Sequence, residues 1–302
     1  MIEIVDPGPF TTVQDLGRPG WAAIGVGSSG AADRGSLRLA NRLVGNPEGA
    51  AGFEATFGGL HLRALTDVLV ALTGAATPIE SDAPLVGLGL AVHLRAGHEL
   101  RLGTPPRGLR SYVAVRGGID APEVLGSRST DTLSALGPSP LRAGDIFVTG
   151  TTVDPNTLTE PSTELAPIPP APVEPVLRLL PGPRNDWADP AGLLAAAYTV
   201  RSDSNRIGVR LAGPALARRP GELPSEAMVR GSVQVPPDGL PIIVHADHPV
   251  TGGYPVVAVV VDADLDLVGQ LRPGDPVRFR LVERPATAAR PGARSEAYGR
   301  RS

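Results

Sequence analysis

The sequence predicts a mainly β protein built as two barrel-like units with a few short helices. Three observations carry that prediction. From Phe53 to Thr149, short alternating apolar runs are cut by glycine or proline roughly every eight to twelve residues, the spacing of an all-β domain. One local plan recurs three times, in Leu94-Arg95-Ala96-Gly97-His98-Glu99-Leu100, Leu141-Arg142-Ala143-Gly144-Asp145-Ile146-Phe147 and Leu271-Arg272-Pro273-Gly274-Asp275-Pro276-Val277-Arg278-Phe279: a turn with a polar residue after glycine introduces a strand that runs back across a sheet. Between these halves, Thr151 to Pro175 is rich in proline, threonine and alanine and reads as an extended linker. The expected divisions are an N-terminal unit over 1–152, a linker over 153–175, a C-terminal barrel over 176–283 and a disordered tail over 284–302.

Taken in order, Ile2 to Val5 alternates as an opening strand and breaks at Pro7-Gly8-Pro9. Phe10 to Leu16 is a second strand running into a turn, where Gln14, Asp15 and Arg18 lie beside glycines that permit tight backbone approach. An Asp15–Arg18 pair closing that turn is the plainer reading. Gly25 to Gly30 is a loop. A helix follows, capped by Asp33, with Leu37, Ala40 and Val44 on one apolar face and Gly45 then Pro47 ending it. Arg34, near its amino end, faces either an anion or solvent.

Tyr112 to Val115 is a buried strand opening into Gly117-Gly118. Gly126 to Leu133 then places Arg128, Ser129 and Thr130 at the start of a helical turn. That is an anion cradle or an ordinary capped turn. After the linker, Val176 to Leu180 is a strand. Asp189 caps a short helix with Pro190 in its first position, and Tyr198 to Val200 resumes a strand. Arg206 stands beside hydroxyls and an amide in Ser202 to Arg210.

The unusual residues concentrate between Ser225 and Pro255. Val233-Gln234-Val235 is a strand that must stop at Pro236, which cannot donate to a ladder. Pro237-Asp238-Gly239 is turn chemistry. Ile242 to Val244 is a buried strand, and Asp247, His248, Thr251 and Tyr254 gather on the loop before the next one, Val256 to Val261. Polar groups on a loop held by two apolar strands make a binding site, or else a hairpin decorated with solvated side chains.

Composition narrows the chemistry. The chain has 302 residues, more than one typical domain, and its 42% hydrophobic and 20% charged residues are those of a globular protein. A net charge of −3 argues against a nucleic-acid partner. Cysteine is absent, which removes disulfides, thiolate nucleophiles and thiolate metal sites. Lysine is absent too, so all 28 basic residues are arginines. Schiff-base chemistry, a phosphate-loop lysine and a lysine general base are excluded. Any phosphate or carboxylate must be held by arginine forks or backbone amides.

The amino terminus shows no signal-peptide pattern, and the longest apolar run, Val256 to Val261, is too short to cross a bilayer. A soluble, cytoplasmic protein with no membrane partner is expected. His245 and His248, three apart on extended backbone, point to opposite faces, so no metal site is expected. Without thiol or amine nucleophiles, the rate of any reaction rests on positioning and electrostatics. The candidate catalytic residues are Glu226, Gln234 and Asp247, the carboxylates managing protons. The candidate substrate-binding residues are Gln14, Asp15, Arg18, Arg128, Ser129, Thr130, Arg206, His248, Thr251 and Tyr254.

Five stretches in order resemble the signatures of one family: Thr12 to Arg18, Ala40 to Asn46, Gly126 to Asp131, Gly231 to Pro241 and Thr251 to Pro255. They resemble the KipA-like group, the 5-oxoprolinase C subunits, also called allophanate hydrolase subunit 2, similar to one half of the carboxyltransferase domain of urea carboxylase. The resemblance spans roughly residues 2 to 282. It implies cyclophilin-like β-barrel subdomains and a heteromer, a heterotetramer, with a KipI-like B subunit. It also implies a third, A subunit that completes the ATP-dependent opening of 5-oxoproline to L-glutamate. ATP would be used with the partner subunits, and no biotin is attached to this chain. The chain departs from the family at Ser225-Glu226-Ala227, where Ser-Glu-Gly is common, at His248, where a basic residue usually follows the aspartate, and at Leu136 to Pro140, which is less glycine-rich. Two other functions fit: a carboxyltransferase half acting on urea or another small amide, and a non-catalytic KipA-type antagonist binding a KipI-like kinase inhibitor.

Overall fold

The computed structural model describes residues 1–163 and 165–282, so the tail expected over 284–302 lies outside the described residues. Before the linker the strands are β1 (Ile2–Asp6), β2 (Phe10–Gln14), β3 (Gly52–Thr56), β4 (His61–Ala64), β5 (Val68–Gly74), β6 (Ile79–Ser81), β7 (Ala91–Leu94), β8 (Glu99–Leu102), β9 (Arg110–Val115) and β10 (Ile146–Phe147), with helix α1 (Arg34–Leu43) between β2 and β3. They make two five-stranded sheets, ordered β10-β1-β4-β8-β6 and β2-β3-β9-β5-β7. The sheets share one core: Ile2, Ile4, Leu62 and Leu100 from the first meet Val13, Phe53, Val70, Leu72, Val113 and Val115 from the second. Successive side chains on a strand face opposite ways, which is why alternate residues supply this core.

β5 and β9 are buried on both faces because α1 lies across their outer side. Leu69, Ala71 and Ala114 pack there against Ala40, Leu43 and Val44. The helix starts where its cap predicts, Asp33 accepting from the Ser36 amide at 2.8 Å, and ends before Gly45 at φ +73°.

After the linker come β11 (Val176–Pro181), α2 (Pro190–Ala195), β12 (Tyr198–Val200), β13 (Gly208–Ala212), β14 (Glu226–Ala227), β15 (Ser232–Gln234), β16 (Ile242–Val244), β17 (Thr251–Gly252), β18 (Val256–Val260), α3 (Leu265–Gln270) and β19 (Pro276–Leu281). Seven of these strands close a barrel in the order β11-β18-β15-β16-β13-β12-β19, sealed by parallel pairing of β11 with β19. Closure satisfies every edge of the sheet. Its core is Leu177, Leu179, Leu211, Val233, Ile243 and Val277. β14 and β17 form a separate two-stranded ribbon. The two halves thus meet the same all-β pattern differently, the first with two stacked sheets and the second with a continuous ladder.

The three repeated stretches are one device. His98, Asp145 and Asp275 donate their amides to the carbonyls of Arg95, Arg142 and Arg272 at 2.9, 3.2 and 3.0 Å. The intervening glycines take φ of +88°, +89° and +92°, as a type II turn requires. Each turn also brackets one residue of a neighbouring strand. The amides of Gly97, Gly144 and Gly274 bond to the carbonyls of Ala64, Ile4 and Val200, whose own amides bond to the carbonyls of His98, Asp145 and Asp275. The linker is tied back to the first half, with the amides of Thr159 and Ala166 bonded to Gly45 and Gly89 carbonyls, both at 2.9 Å.

Candidate functional site

The halves meet across a buried charged seam. Glu54 on β3 is fully buried and accepts from Arg206 of the other half, from the Ala32 amide at 2.8 Å and from the Tyr112 hydroxyl at 2.8 Å. Arg110 lies 3.3 Å from the same carboxylate. Arg206 spans on to Asp247, bonding its two oxygens at 2.8 and 2.9 Å, and to the Gly30 carbonyl at 2.7 Å. Asp247 also accepts from the Ser29 hydroxyl at 2.7 Å and from the Thr132 amide and hydroxyl at 3.0 and 2.8 Å. Charges survive such burial only when paired and hydrogen-bonded. Burial by itself would raise the Glu54 and Asp247 carboxyls, but Arg206 outweighs it, aided at Glu54 by Arg110, and holds both below the ordinary carboxylate range.

A second brace lies beside it. Asp15 accepts from the hydroxyls of Ser127 and Ser129 and from the Gly17 and Arg128 amides, the two amide bonds at 2.7 Å. No helix starts over 126–133; the amides and hydroxyls there bind the chain's own Asp15 and Asp247. Gln14 donates to the Thr130 carbonyl at 2.9 Å, and buried Arg18 donates to the carbonyls of Val124 and Ser129. Arg128 turns outward to Glu123 at 2.6 Å. Gln14, Asp15, Arg18, Ser129 and Thr130 are thus brought together, with Arg206 and Asp247 adjoining through Ser29 and Thr132.

The remaining candidates lie around the β14–β17 ribbon. Glu226 is paired with Arg184, whose hydrogen bond keeps its carboxyl below the usual range. Gln234 donates to the Tyr254 carbonyl at 3.2 Å and contacts the Met228 sulfur at 2.8 Å. Thr251 is exposed. The Tyr254 side chain lines an open cleft of about 320 Å³ with Arg201, Arg210 and Asp238. His248 lines a different cavity, of about 380 Å³, with Met228, Arg34, Arg230 and the loop from Pro19 to Ser28. The loop after β16 therefore distributes its polar residues three ways: Asp247 into the seam, His248 to one cavity, Tyr254 to another cleft. A third opening of about 490 Å³ runs between the halves past Phe57, Arg110, Thr132 and Asn205.

His248 Nδ1 lies 2.8 Å from the Pro249 carbonyl, which can only accept, so the proton sits on Nδ1 and Nε2 is left as an acceptor. Burial lowers the pKa of this imidazole and favours that neutral form. Its neighbour His245 is fully buried, with both ring nitrogens lacking a hydrogen-bond partner among the described residues. Burial, then Arg230, Arg110, Arg206 and His248, push it well below the ordinary histidine range.

Sequence reasoning missed Glu54, Tyr112, Ser29, Arg110 and Arg230. A weak signal existed for Glu54: a carboxylate between Phe53 and Ala55 in an apolar strand must find a cation. Nothing local says that the cation is 152 residues away.

Residues 24–281 match the carboxyltransferase domain, subdomain A and B, and the chain belongs to that family. Within it, the chain is 38% identical over 286 residues to the C subunit of 5-oxoprolinase from Escherichia coli K12, covering 92% of this chain and 90% of that protein. It is 35% identical over 300 residues to the protein of the same name from Haemophilus influenzae, covering 93% and 91%. The crystal structure of Kluyveromyces lactis urea carboxylase superposes with a TM-score of 0.85 at 31% identity, over 93% of this chain and 27% of that longer one. Among the described residues no helix is long and apolar enough to cross a membrane.

Proposed function

We propose that this chain is the C subunit of an ATP-dependent 5-oxoprolinase, working in the cytoplasm with a KipI-like B subunit together with an A subunit to open 5-oxoproline to L-glutamate. The observation that carries the reading is the match, over nine-tenths of both chains, to two bacterial proteins of that name. The residues of the chain suit a positioning role. It has no cysteine or lysine, so binding, orientation and proton acceptance are what it can contribute. Without a lysine it lacks the usual phosphate-loop grip, and ATP is assigned to the assembled complex rather than to this chain. His248 supplies a neutral acceptor at the cavity beside the ribbon, while Gln234 and Glu226 hold that ribbon in place. The seam of Glu54, Arg206 and Asp247 fixes the loop that carries His248.

Reconstituting the three proteins with ATP and 5-oxoproline tests this. Glutamate should form at a rate that depends on this chain, and glutamate no higher than in its absence would overturn the reading. Light scattering of the complex with the KipI-like partner should give the mass of a heterotetramer.

The likeness to Kluyveromyces lactis urea carboxylase favours a second reading, a carboxyltransferase half acting on urea or another small amide with biotin supplied elsewhere. Carboxybiotin-dependent consumption of urea by the complex is its test.

A further inference from the structure

We propose that the cavity between the Pro19–Ser28 loop and the β14–β17 ribbon is a pocket for a small cyclic amide bearing a carboxylate. Arg34 and Arg230 take the carboxylate and His248 accepts the amide N–H. This deepens the oxoprolinase reading and rests on it.

The charge pattern at the seam leads to the pocket. Three arginines there have carboxylate neighbours: Arg18 lies 3.8 Å from Asp131, Arg110 lies 3.3 Å from Glu54, and Arg206 pairs with Glu54 and Asp247. Arg34 and Arg230 line the cavity, and among the described residues neither guanidinium has a carboxylate within ion-pair distance. Asp262, on the same wall, is exposed and pairs with neither. Asp266 accepts from the backbone amides of Arg34 and Gly35, at 2.8 and 3.1 Å. It attracts both guanidinium groups through space without an ion pair, as Asp262 does Arg34, so the two cations are offset only in part. Burial and then Arg34 bring the Arg230 guanidinium down to about 10; burial and then Arg38 lower Arg34. Two desolvated cations sharing a wall are costly unless an anion joins them.

Both arginines keep donors in reserve. Arg230 is oriented by bonds to the Ala31 and Ala32 carbonyls, and among the described residues the Arg34 side chain hydrogen-bonds only the Ser29 carbonyl, at 3.4 Å. The Nε of each is buried without a hydrogen-bond partner among the described residues. Planar guanidinium groups suit a carboxylate, and the lone pair of His248 Nε2 complements a lactam N–H. Met228 and Val250 give the same cavity an apolar side for ring methylenes. Gly27 keeps the wall close, since a Cβ there would sit 2.7 Å from the His248 carbonyl oxygen. Urea has no carboxylate for the arginines, so the pocket discriminates against it.

Titration calorimetry on the full chain with 5-oxoproline and with pyrrolidin-2-one, the same lactam without the carboxylate, tests the pocket directly. The wild type should bind 5-oxoproline at least about tenfold more tightly, the loss expected for one charged hydrogen bond. Arg34→Gln should erase that preference and Arg34→Lys should restore part of it, with melting temperatures showing that both variants fold. Equal binding of the two lactams, no binding of 5-oxoproline, or an Arg34→Gln variant that keeps the preference would each overturn the pocket. In the reconstituted complex Arg34→Gln should raise KM for 5-oxoproline by about ten- to a hundredfold with a smaller change in kcat. A complex that makes no glutamate while the chain still prefers 5-oxoproline overturns the oxoprolinase reading and leaves the carboxylate pocket standing.

Discussion

Arg206 grips both oxygens of Asp247, Nε to Oδ2 at 2.8 Å and Nη2 to Oδ1 at 2.9 Å, and reaches past it to Glu54 in the other half of the chain. One guanidinium thus joins carboxylates from the sandwich and from the barrel. With Arg110 also on Glu54, the seam is a four-charge unit that neither half completes alone.

Removing Arg206 leaves Asp247 with no cation among the described residues and Glu54 with Arg110 alone. Arg206→Met should lower unfolding stability by about 3–5 kcal/mol, read from urea denaturation. Asp247→Asn should cost less, because the amide oxygen keeps part of the bonding. A loss under about 1 kcal/mol for Arg206→Met would show that the halves are held together by something other than this seam.

Acid should weaken the protein in two stages. The pKa values of His245 and His248 lie below the ordinary 6.5 in the folded chain, so the unfolded chain takes up protons first as pH falls through that value and stability drops below it. Glu54 and Asp247 lie below the ordinary 4.5 and 3.8, so their contribution is full above those values and disappears as pH falls further. His245→Leu removes an unpartnered imidazole and should cost less than about 1.5 kcal/mol at pH 7. It should also flatten the pH 7 to 5 limb of the stability curve. An unchanged limb would show that His245 does not titrate on unfolding as its burial requires.

Gly17 sits at φ +89°, and a Cβ there would come within 2.3 Å of the Ser28 carbonyl oxygen. Gly17→Ala should therefore destabilise by about 1–3 kcal/mol and disturb the loop that walls the proposed pocket. Thermal melting together with 5-oxoproline titration checks both effects. A variant with wild-type melting and binding would mean the loop shifts at no cost.

Glu226 is kept ionised by Arg184 and stands partly open to solvent. Glu226→Gln should lower stability by less than about 1 kcal/mol, as for a partly exposed ion pair, and reduce kcat of the complex by less than about tenfold, whereas loss of a proton carrier typically costs about 10²–10⁴-fold. A drop in that larger range would make Glu226 the proton-transfer group.

Much of the fold was legible because its signals are local. Strand alternation, the Asp33 cap on α1, the stop at Pro236 and the Gly239 turn each depend on a few adjacent residues, and each appears where those residues place it. The three repeated turns were legible for the same reason. Their glycines need positive φ whatever surrounds them, and all three adopt it. The site was legible only in part. The stretch from Ser225 to Pro255 does border two cavities, yet its polar residues diverge into three environments, since consecutive side chains on extended backbone cannot converge without a helix or bulge.

The sequence by itself determined a mainly β chain, the absence of thiol and lysine nucleophiles, and the reliance on arginine or backbone amides for any bound phosphate or carboxylate. Tertiary structure alone decided which arginines are spent on internal carboxylates and which remain open. Arg206 and Arg34 look alike as residues, but one meets Glu54 from a strand 152 positions away and the other meets a cavity. That difference is set by which surfaces two separately cored halves press together, and electrostatic pairing across such a seam leaves no trace in local spacing.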